Sequence, residues 1–457
     1  MFPRLRPLFP YLKRYWKSLA LGAVATILYN VLKVLIPLVI GHALDDMQHG
    51  LTQQKILDHS LRLLVLAALC AVFLYTMRQV IIGASREIEF DIRNDLFSNL
   101  ERQAASFFHT HRTGDIMART TNDLNAVRQL LGPAIMYSAN TLVFTCAALP
   151  FMYRISHRLT FIAFVPLPMA SVLVQYFGNR IHTRFERIQA MFSDISAKAQ
   201  ENFSGARLIR AFAQEDAEID SFETANQEYI RRSLLLVRLM AMLWPSLEFV
   251  LGLSLMITLL VGGHEVVAHH ITVGQFTSFS VYMVQLTWPM IAVGWVVNLF
   301  QRGTASVVRI DELLKQEPAI WDDPLSLAAS VALPSRSEAE GSASSPESSP
   351  TLEGSIEFRH LTFAYAEGPT VLHDINLTIP SGSSLAIVGP TGSGKSTMVG
   401  LIPRLHDAAP GTVLIDGRPI REFPLAALRK DIGFVPQETF LFSNTVRQNI
   451  AFGHPDA

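Results

Sequence analysis

Charge is scarce in this sequence. Asp, Glu, Lys and Arg make up 17% of the 457 residues, where a soluble domain carries about 25%. That scarcity argues against the roughly three soluble domains that the length alone would suggest at ~150 residues each. It also excludes a coiled coil and a disordered chain, both of which are rich in charge. The 38 basic and 39 acidic residues leave a net charge of −1, so no global field favours nucleic acid, and no nucleic-acid partner is expected. Cysteine is rarer still. Cys70 and Cys146 are the two in the chain, each inside an apolar run. A disulfide scaffold is therefore excluded, and the redox compartment cannot be read from them.

Apolar residues are abundant, at 49% with a mean hydropathy of +0.27. They gather in runs of the ~20 residues that a helix needs to cross a bilayer. Six spans are expected, at about 19–41, 61–84, 134–153, 159–178, 241–262 and 276–300. The first is too long for a signal peptide and lacks a clear small-residue cleavage site, so it reads as a retained span. Arg4, Arg6, Lys13, Arg14 and Lys17 precede it with no acid among them, which predicts a cytoplasmic N-terminus. The segment with Asp45, Asp46, Lys55 and Asp58, and the loop 263–272 without Lys or Arg, are expected outside. Arg154 and Arg158, between spans three and four, go mildly against this pattern.

Two longer segments, about 85–133 and 179–240, are expected in the cytoplasm. Ile88, Ile92, Leu96 and Leu100 recur every four residues, and Ile181, Phe185, Ile188 and Phe192 nearly so. This is one helical face, and it predicts membrane helices that continue well beyond the bilayer. The mixed charges Arg86, Glu87, Glu89, Asp91 and Arg93 do not suit a helix lying on lipid. Residues 322–353 then turn rich in Ser, Pro, Ala and Glu, the composition of a disordered linker. The expected division is 1–321 membrane domain, 322–353 linker and 354–457 soluble α/β sequence.

The strongest chemical signal lies in SSLAIVGPTGSGKSTMVGLI. It contains the phosphate-loop pattern G-x-x-x-x-G-K-[ST] at Gly389, Gly394, Lys395 and Ser396. Ser384–Val388 reads as a buried strand and Ser396–Ile402 as the start of a helix, the order the motif requires. Gly389, Gly392 and Gly394 let backbone N–H groups approach phosphate. The helix N-terminus adds free donors and a partial positive charge. Lys395 offers a point charge to the outer phosphates and Ser396 a hydroxyl to Mg²⁺. A glycine-rich turn with a solvated lysine is the bland alternative, and the flanking pattern disfavours it.

Around this loop the chain resembles ABC transporters. SIEFRHLTFAYAEGPTVLHDINLTIPSGSSLAIVGPTGSGKST is similar to the opening of their nucleotide-binding domain. The resemblance implies that Tyr365 stacks on adenine, a contact worth about 1–3 kcal/mol. It implies that Gly389, Pro390, Thr391, Gly392, Ser393, Gly394, Lys395, Ser396 and Thr397 hold the phosphates of ATP. GTVLIDGRPI resembles the family's hairpin, and IGFVPQETFLFSNTVRQNI its glutamine loop, with Gln437 after a strand at 432–436. There Gln437 would touch Mg²⁺ or the attacking water, so Lys395 and Gln437 are the catalytic candidates and Ser396 and Gln437 the metal candidates. FFHTHRTGDIMARTTNDLNAVR and ENFSGARLIRAFAQEDAEIDSF resemble the family's two intracellular loops, with short coupling helices expected near 113–120 and 211–220.

The fold implied is an all-α, six-span exporter domain followed by an incomplete α/β P-loop NTPase domain. The subtype resembles multidrug half-transporters. Such a protein would sit in the cell membrane as a multi-pass chain, in the inner membrane if the cell is Gram-negative. Its partners would be a second half-transporter, identical or not, membrane lipid and a lipophilic cargo. One departure stands out. The sequence contains no LSGGQ-type signature, no strand ending in Asp-Glu after Gln437, and no segment matching the switch histidine. A sequence ended within the ATP-binding domain is the expectation, and these 457 residues alone are expected to be catalytically incompetent. Rival readings are a non-catalytic nucleotide-responsive regulator, a non-functional truncated product, and a channel, for which no polar pore stripe is seen. Lys33, Arg78 and Glu248 lie in or near apolar runs, and intramembrane charges are functional candidates by default. A wetted wall or an internal ion pair is the alternative for them.

Overall fold

The structure, a computed structural model, describes residues 2–48, 50, 52–322, 352–365, 368–437 and 440–453. The chain forms two compact units, residues 1–95 with 118–312 and residues 96–117 with 313–457. Nearly all of the expected linker, residues 323–351, lies outside the described residues.

The first unit is helical, because backbone in lipid must satisfy its own hydrogen bonds. Its helices are α1 (Trp16–Gln48), α2 (Gln53–Glu101), α3 (Thr113–Ile155, with π-helical turns at Arg119–Asp123 and Leu130–Ala134), α4 (His157–Phe164), α5 (Leu167–Ser204), α6 (Ala206–Ala211), α7 (Glu215–Val267) and α8 (Val273–Leu314). Among the described residues five of these, α1, α2, α3, α7 and α8, are long and apolar enough to cross a membrane. The fourth expected span, 159–178, is not one helix. It is divided between α4 and α5 at Val165–Pro166. Val165 and Pro166 keep helical dihedrals, but Pro166 has no N–H to continue the ladder.

The long helical extensions beyond the apolar runs are present. α2 has 49 residues, about 74 Å at 1.5 Å per residue, more than twice the ~30 Å hydrocarbon layer. Its stripe Ile88, Ile92 and Leu96 is buried, whereas of the second stripe Ile188 is buried and Phe185 and Phe192 stay exposed. Charges between the helices are paired. The buried Glu89 carboxylate accepts from Arg93 at 2.7 Å and Arg86 at 3.3 Å, with Arg128 of α3 at 3.5 Å. Asp123 of α3 accepts from Ser306 at 2.9 Å and from Arg309 Nε at 2.7 Å. The N-terminal segment is tied to α2 as well, Tyr11 to Asp95 at 2.6 Å and Arg14 to Asp91 at 3.0 Å.

Of the two expected coupling helices, the second needs correction. Near 113–120 a short α-helical segment, Thr113–Ala118, opens α3 and runs on through the π-helical turn at Arg119–Asp123, with a further short helix at Ala105–Thr110. In the second loop the short helix is α6, Ala206–Ala211, and residues from Glu215 onward belong to α7. Gly205 ends α5, and Ala213 takes a left-handed φ of 50° in the turn before α7.

The second unit holds a four-stranded antiparallel sheet of order β2-β1-β3-β4, from β1 (Ile356–Ala364), β2 (Thr370–Ile379), β3 (Val413–Ile415) and β4 (Arg418–Pro419). The expected hairpin is β3–β4, turning at Asp416–Gly417. Helices α9 (Lys395–Leu401), α10 (Leu425–Lys430) and α11 (Val446–Ile450) follow the sequence between and after the strands. Phe358, Leu361, Leu372, Leu401, Val413 and Leu428 form the core. Two expected strands, 384–388 and 432–436, carry no regular secondary structure and have no ladder partners among the described residues. A parallel layer is stable only when strands pair on its edges and helices cover its faces. No described strand does so, and Val388 and Val435 are 89% and 88% exposed.

Candidate phosphate-binding site

The glycine loop ends where α9 begins, with Met398 N–H bonded to Gly394 O at 2.9 Å as the first helical turn. Gly392 and Gly394 have φ of 86° and 84°, a conformation that L-residues rarely adopt. Gly394 is doubly constrained, since a Cβ there would lie 2.7 Å from Leu372 Cδ2. Gly389 has no such φ; a Cβ there would lie 2.8 Å from Ser393 Oγ. The loop is thus closed over its own centre, and the hydrophobic side chains of β2 hold its C-terminal end.

Lys395 folds back over the loop. Its Nζ donates to Gly389 O at 2.9 Å, Pro390 O at 2.8 Å and Ser393 Oγ at 3.3 Å. These are neutral acceptors, and a phosphate oxygen would make a stronger, charge-assisted bond at the same nitrogen. Pro390, Thr391 and Gly392 are exposed at the rim. Ser396 Oγ donates to Gln437 Oε1 at 3.2 Å, joining two positions 41 residues apart in sequence. Both are hard oxygens on an exposed mouth. That donor set fits Mg²⁺, which keeps several waters and takes one or two protein oxygens plus phosphate.

Tyr365 follows β1 directly and is 40% exposed. Its hydroxyl lies 2.9 Å from Oγ1 of the buried Thr397. Its ring meets Phe363 and His406 edge-on, each at 5.2 Å between centroids. Tyr365, Lys395, Ser396, Thr397 and Gln437 are therefore linked, directly or through the loop, in one region. His406 and Phe363 were not anticipated. Phe363 was legible in principle, two residues before Tyr365 on the same strand face. His406 carried no sequence signal.

The family description of an ABC transporter transmembrane region matches residues 19–290, and that of an ABC transporter matches residues 372–457. The chain is 32% identical over 462 residues to a probable multidrug resistance ABC transporter ATP-binding/permease protein, YheI, of Bacillus subtilis (strain 168), covering 100% of this chain and 75% of the relative. It is 32% identical over 451 residues to the multidrug resistance-like ATP-binding protein MdlA of Escherichia coli (strain K12), covering 98% and 72%. An ATP-dependent lipid A-core flippase of Syntrophus aciditrophicus (strain SB) is 32% identical over 445 residues, covering 95% and 69%.

Proposed function

The chain belongs to the ABC transporter family, and from that premise we propose that it is one half of a dimeric, ATP-driven exporter of a lipophilic small molecule, drug or lipid. The observation that carries the reading is the meeting of Lys395, Ser396 and Gln437 at the closed glycine loop, in a chain that also bears five membrane-length helices among its described residues. The proposed domains are 1–321 in the membrane, a linker at 322–353, and a nucleotide-binding part at 354–457. The distribution of Lys and Arg supports a cytoplasmic N-terminus and nucleotide-binding part.

In this reading Tyr365 offers a ring to adenine while the Thr397 hydroxyl fixes its orientation. The glycine-loop N–H groups and Lys395 hold the phosphates. Ser396 and Gln437 would hold Mg²⁺, which when bound neutralises charge on the outer phosphates. Closure of two such domains on ATP would be carried by the cytoplasmic extensions to the membrane helices. Within residues 354–457 no strand ends in Asp-Glu to polarise water. A polypeptide of these 457 residues by itself is expected to bind Mg·ATP weakly and to release phosphate no faster than a buffer control. A positioned acid–base group is typically worth about 10²–10⁴-fold, so robust turnover that Lys395→Ala abolishes would refute this point.

The assignment of the loop is tested in proteoliposomes holding a transporter that joins this sequence to a signature motif and an Asp-Glu strand. Lys395→Ala should weaken ATP binding and abolish ATP-driven movement of cargo. Wild-type affinity and transport in that variant would remove Lys395 from the site.

A further inference from the structure

Helix α1 carries a lysine deep in its apolar run. Lys33 lies within residues 19–41, about 21 Å from one end of the run and about 12 Å from the other at 1.5 Å per residue. A four-carbon stem does not span the shorter of these distances, so the ammonium does not reach water by snorkelling along its own helix. It lies over the ring of the fully buried Phe144 at 4.6 Å and over Tyr29 at 5.8 Å. Among the described residues it makes no hydrogen bond and no ion pair. The acid in a nearby apolar run, Glu248, is exposed on α7 and pairs with nothing described.

A second observation lies one turn earlier on the same helix. Asn30 is fully buried, and its Nδ2 donates to Thr26 O at 2.8 Å and to Asn140 Oδ1 at 3.1 Å. Its own Oδ1 is buried without a partner. Asn140 and Phe144 are four apart on α3, and Asn30 and Lys33 three apart on α1. Two rungs thus join the same two helices, an amide pair and a cation over an aromatic face. Pro37 lies four residues beyond Lys33 in α1 and has no N–H to give the Lys33 carbonyl. Buried polar groups in a finished core are satisfied, and here, three residues apart on one helix, a half-buried cation has no described hydrogen bond or ion pair and a buried amide oxygen has no partner.

We propose that Lys33 receives the head of the cargo, and that the cargo is an amphiphile with an acidic head group, a carboxylate, phosphate or sulfate, on an apolar tail. The inference rests on the exporter reading above. Two aromatic faces stabilise the ammonium without neutralising its charge. An ammonium has three N–H donors, and the half-buried Lys33 gives none of them to a described hydrogen bond, so a direction remains for an anionic oxygen.

The test uses two fluorescent probes with the same twelve-carbon tail, one ending in phosphate and the other in trimethylammonium. Equilibrium binding is measured in phosphatidylcholine nanodiscs and ATP-dependent movement in proteoliposomes, both with that same catalytically equipped transporter. The wild type should prefer the phosphate probe. Lys33→Met, close in volume and free of charge, should lose about ten- to a hundredfold in affinity for that probe, as expected for a hydrogen bond to a charged group. It should leave the trimethylammonium probe and ATP binding unchanged, and Lys33→Arg should retain the preference. Equal binding of both probes by the wild type would overturn the proposal whatever the variants do. So would recovery of Lys33→Met by Glu248→Gln, which would mark a charge pair between copies. Phosphate-probe binding that depends on Lys33 but is never followed by movement, while the other probe moves, would assign a resident lipid and refute the cargo role. Failure of the wild type to bind or move either probe would count against the lipophilic-exporter reading itself.

Discussion

The crossing of α1 and α8 gives the sharpest stability test. Gly41 and Gly274 bring two helix backbones together there. A methyl on Gly274 would lie 2.0 Å from Gly41 O and 2.5 Å from Asp45 Cγ, and one on Gly41 would lie 2.5 Å from Gly274 O. Ordinary contact begins near 3.4 Å, and the atoms struck are largely backbone, so the helices would have to separate by an ångström or more. Separation also strains the bonds that Asp45 accepts from Gly274 N–H at 2.8 Å and Thr272 Oγ at 2.6 Å, and the Ser278 Oγ bond to Pro37 O at 2.8 Å. Overpacking costs about 1–3 kcal/mol, and weakening a carboxylate-accepted bond adds about 1–2 kcal/mol. Gly274→Ala should therefore cost about 2–5 kcal/mol. Gly263, in α7, has nothing within 4 Å of an added Cβ. Gly263→Ala should be neutral or gain up to about 1 kcal/mol from helix propensity. Thermal unfolding of both variants in the same nanodiscs decides the matter. Equal midpoints for Gly274→Ala and Gly263→Ala would show that the close approach does not constrain the protein.

At the candidate site, Tyr365→Phe should keep most of the nucleotide affinity, because the ring remains, whereas Tyr365→Ala should lose about 1–3 kcal/mol of stacking. Titration with a fluorescent ATP analogue measures both, and equal losses would place the interaction in the hydroxyl. In the N-terminal segment, burial and the Asp95 carboxylate push the Tyr11 phenol above its ordinary value. The stability from this group is therefore complete below the unfolded value near pH 10 and is lost as pH rises through the higher folded value. Because Asp95 is exposed, Tyr11→Phe should cost only about 0.5–1 kcal/mol at pH 7. The variant should also lose less stability than the wild type between pH 9.5 and 11.5 in parallel melts. Parallel pH dependence in the two proteins would refute the coupling. Orientation is checked with single cysteines in a background lacking Cys70 and Cys146. An impermeant reagent applied to intact cells should label His269→Cys and spare Asp216→Cys, and the reverse pattern would invert the topology.

Much of this protein follows from local sequence. Runs of ~20 apolar residues become helices because lipid offers the backbone no other partner. The four-residue repeat from Ile88 to Leu96 specifies one buried face on an extended α2, and Gly392 and Gly394 specify a loop that few other residues could form. Other features depended on partners remote in the chain. Residues 384–388 and 432–436 have strand composition, yet a strand exists only when a neighbour supplies its hydrogen bonds, and no described segment does. The second coupling helix was misplaced because its ends are set by how long helices stop, at Gly205 and the turn at Ala213, and not by motif boundaries. The 3.2 Å approach of Ser396 to Gln437 and the seating of Tyr365 against Thr397 and His406 join residues 41, 32 and 41 positions apart. For Lys33 the sequence alone determined that a charge lies within an apolar run. Only the tertiary structure decided that its neighbours are aromatic faces and not carboxylates, because pairing inside a membrane depends on which helices meet and at what height.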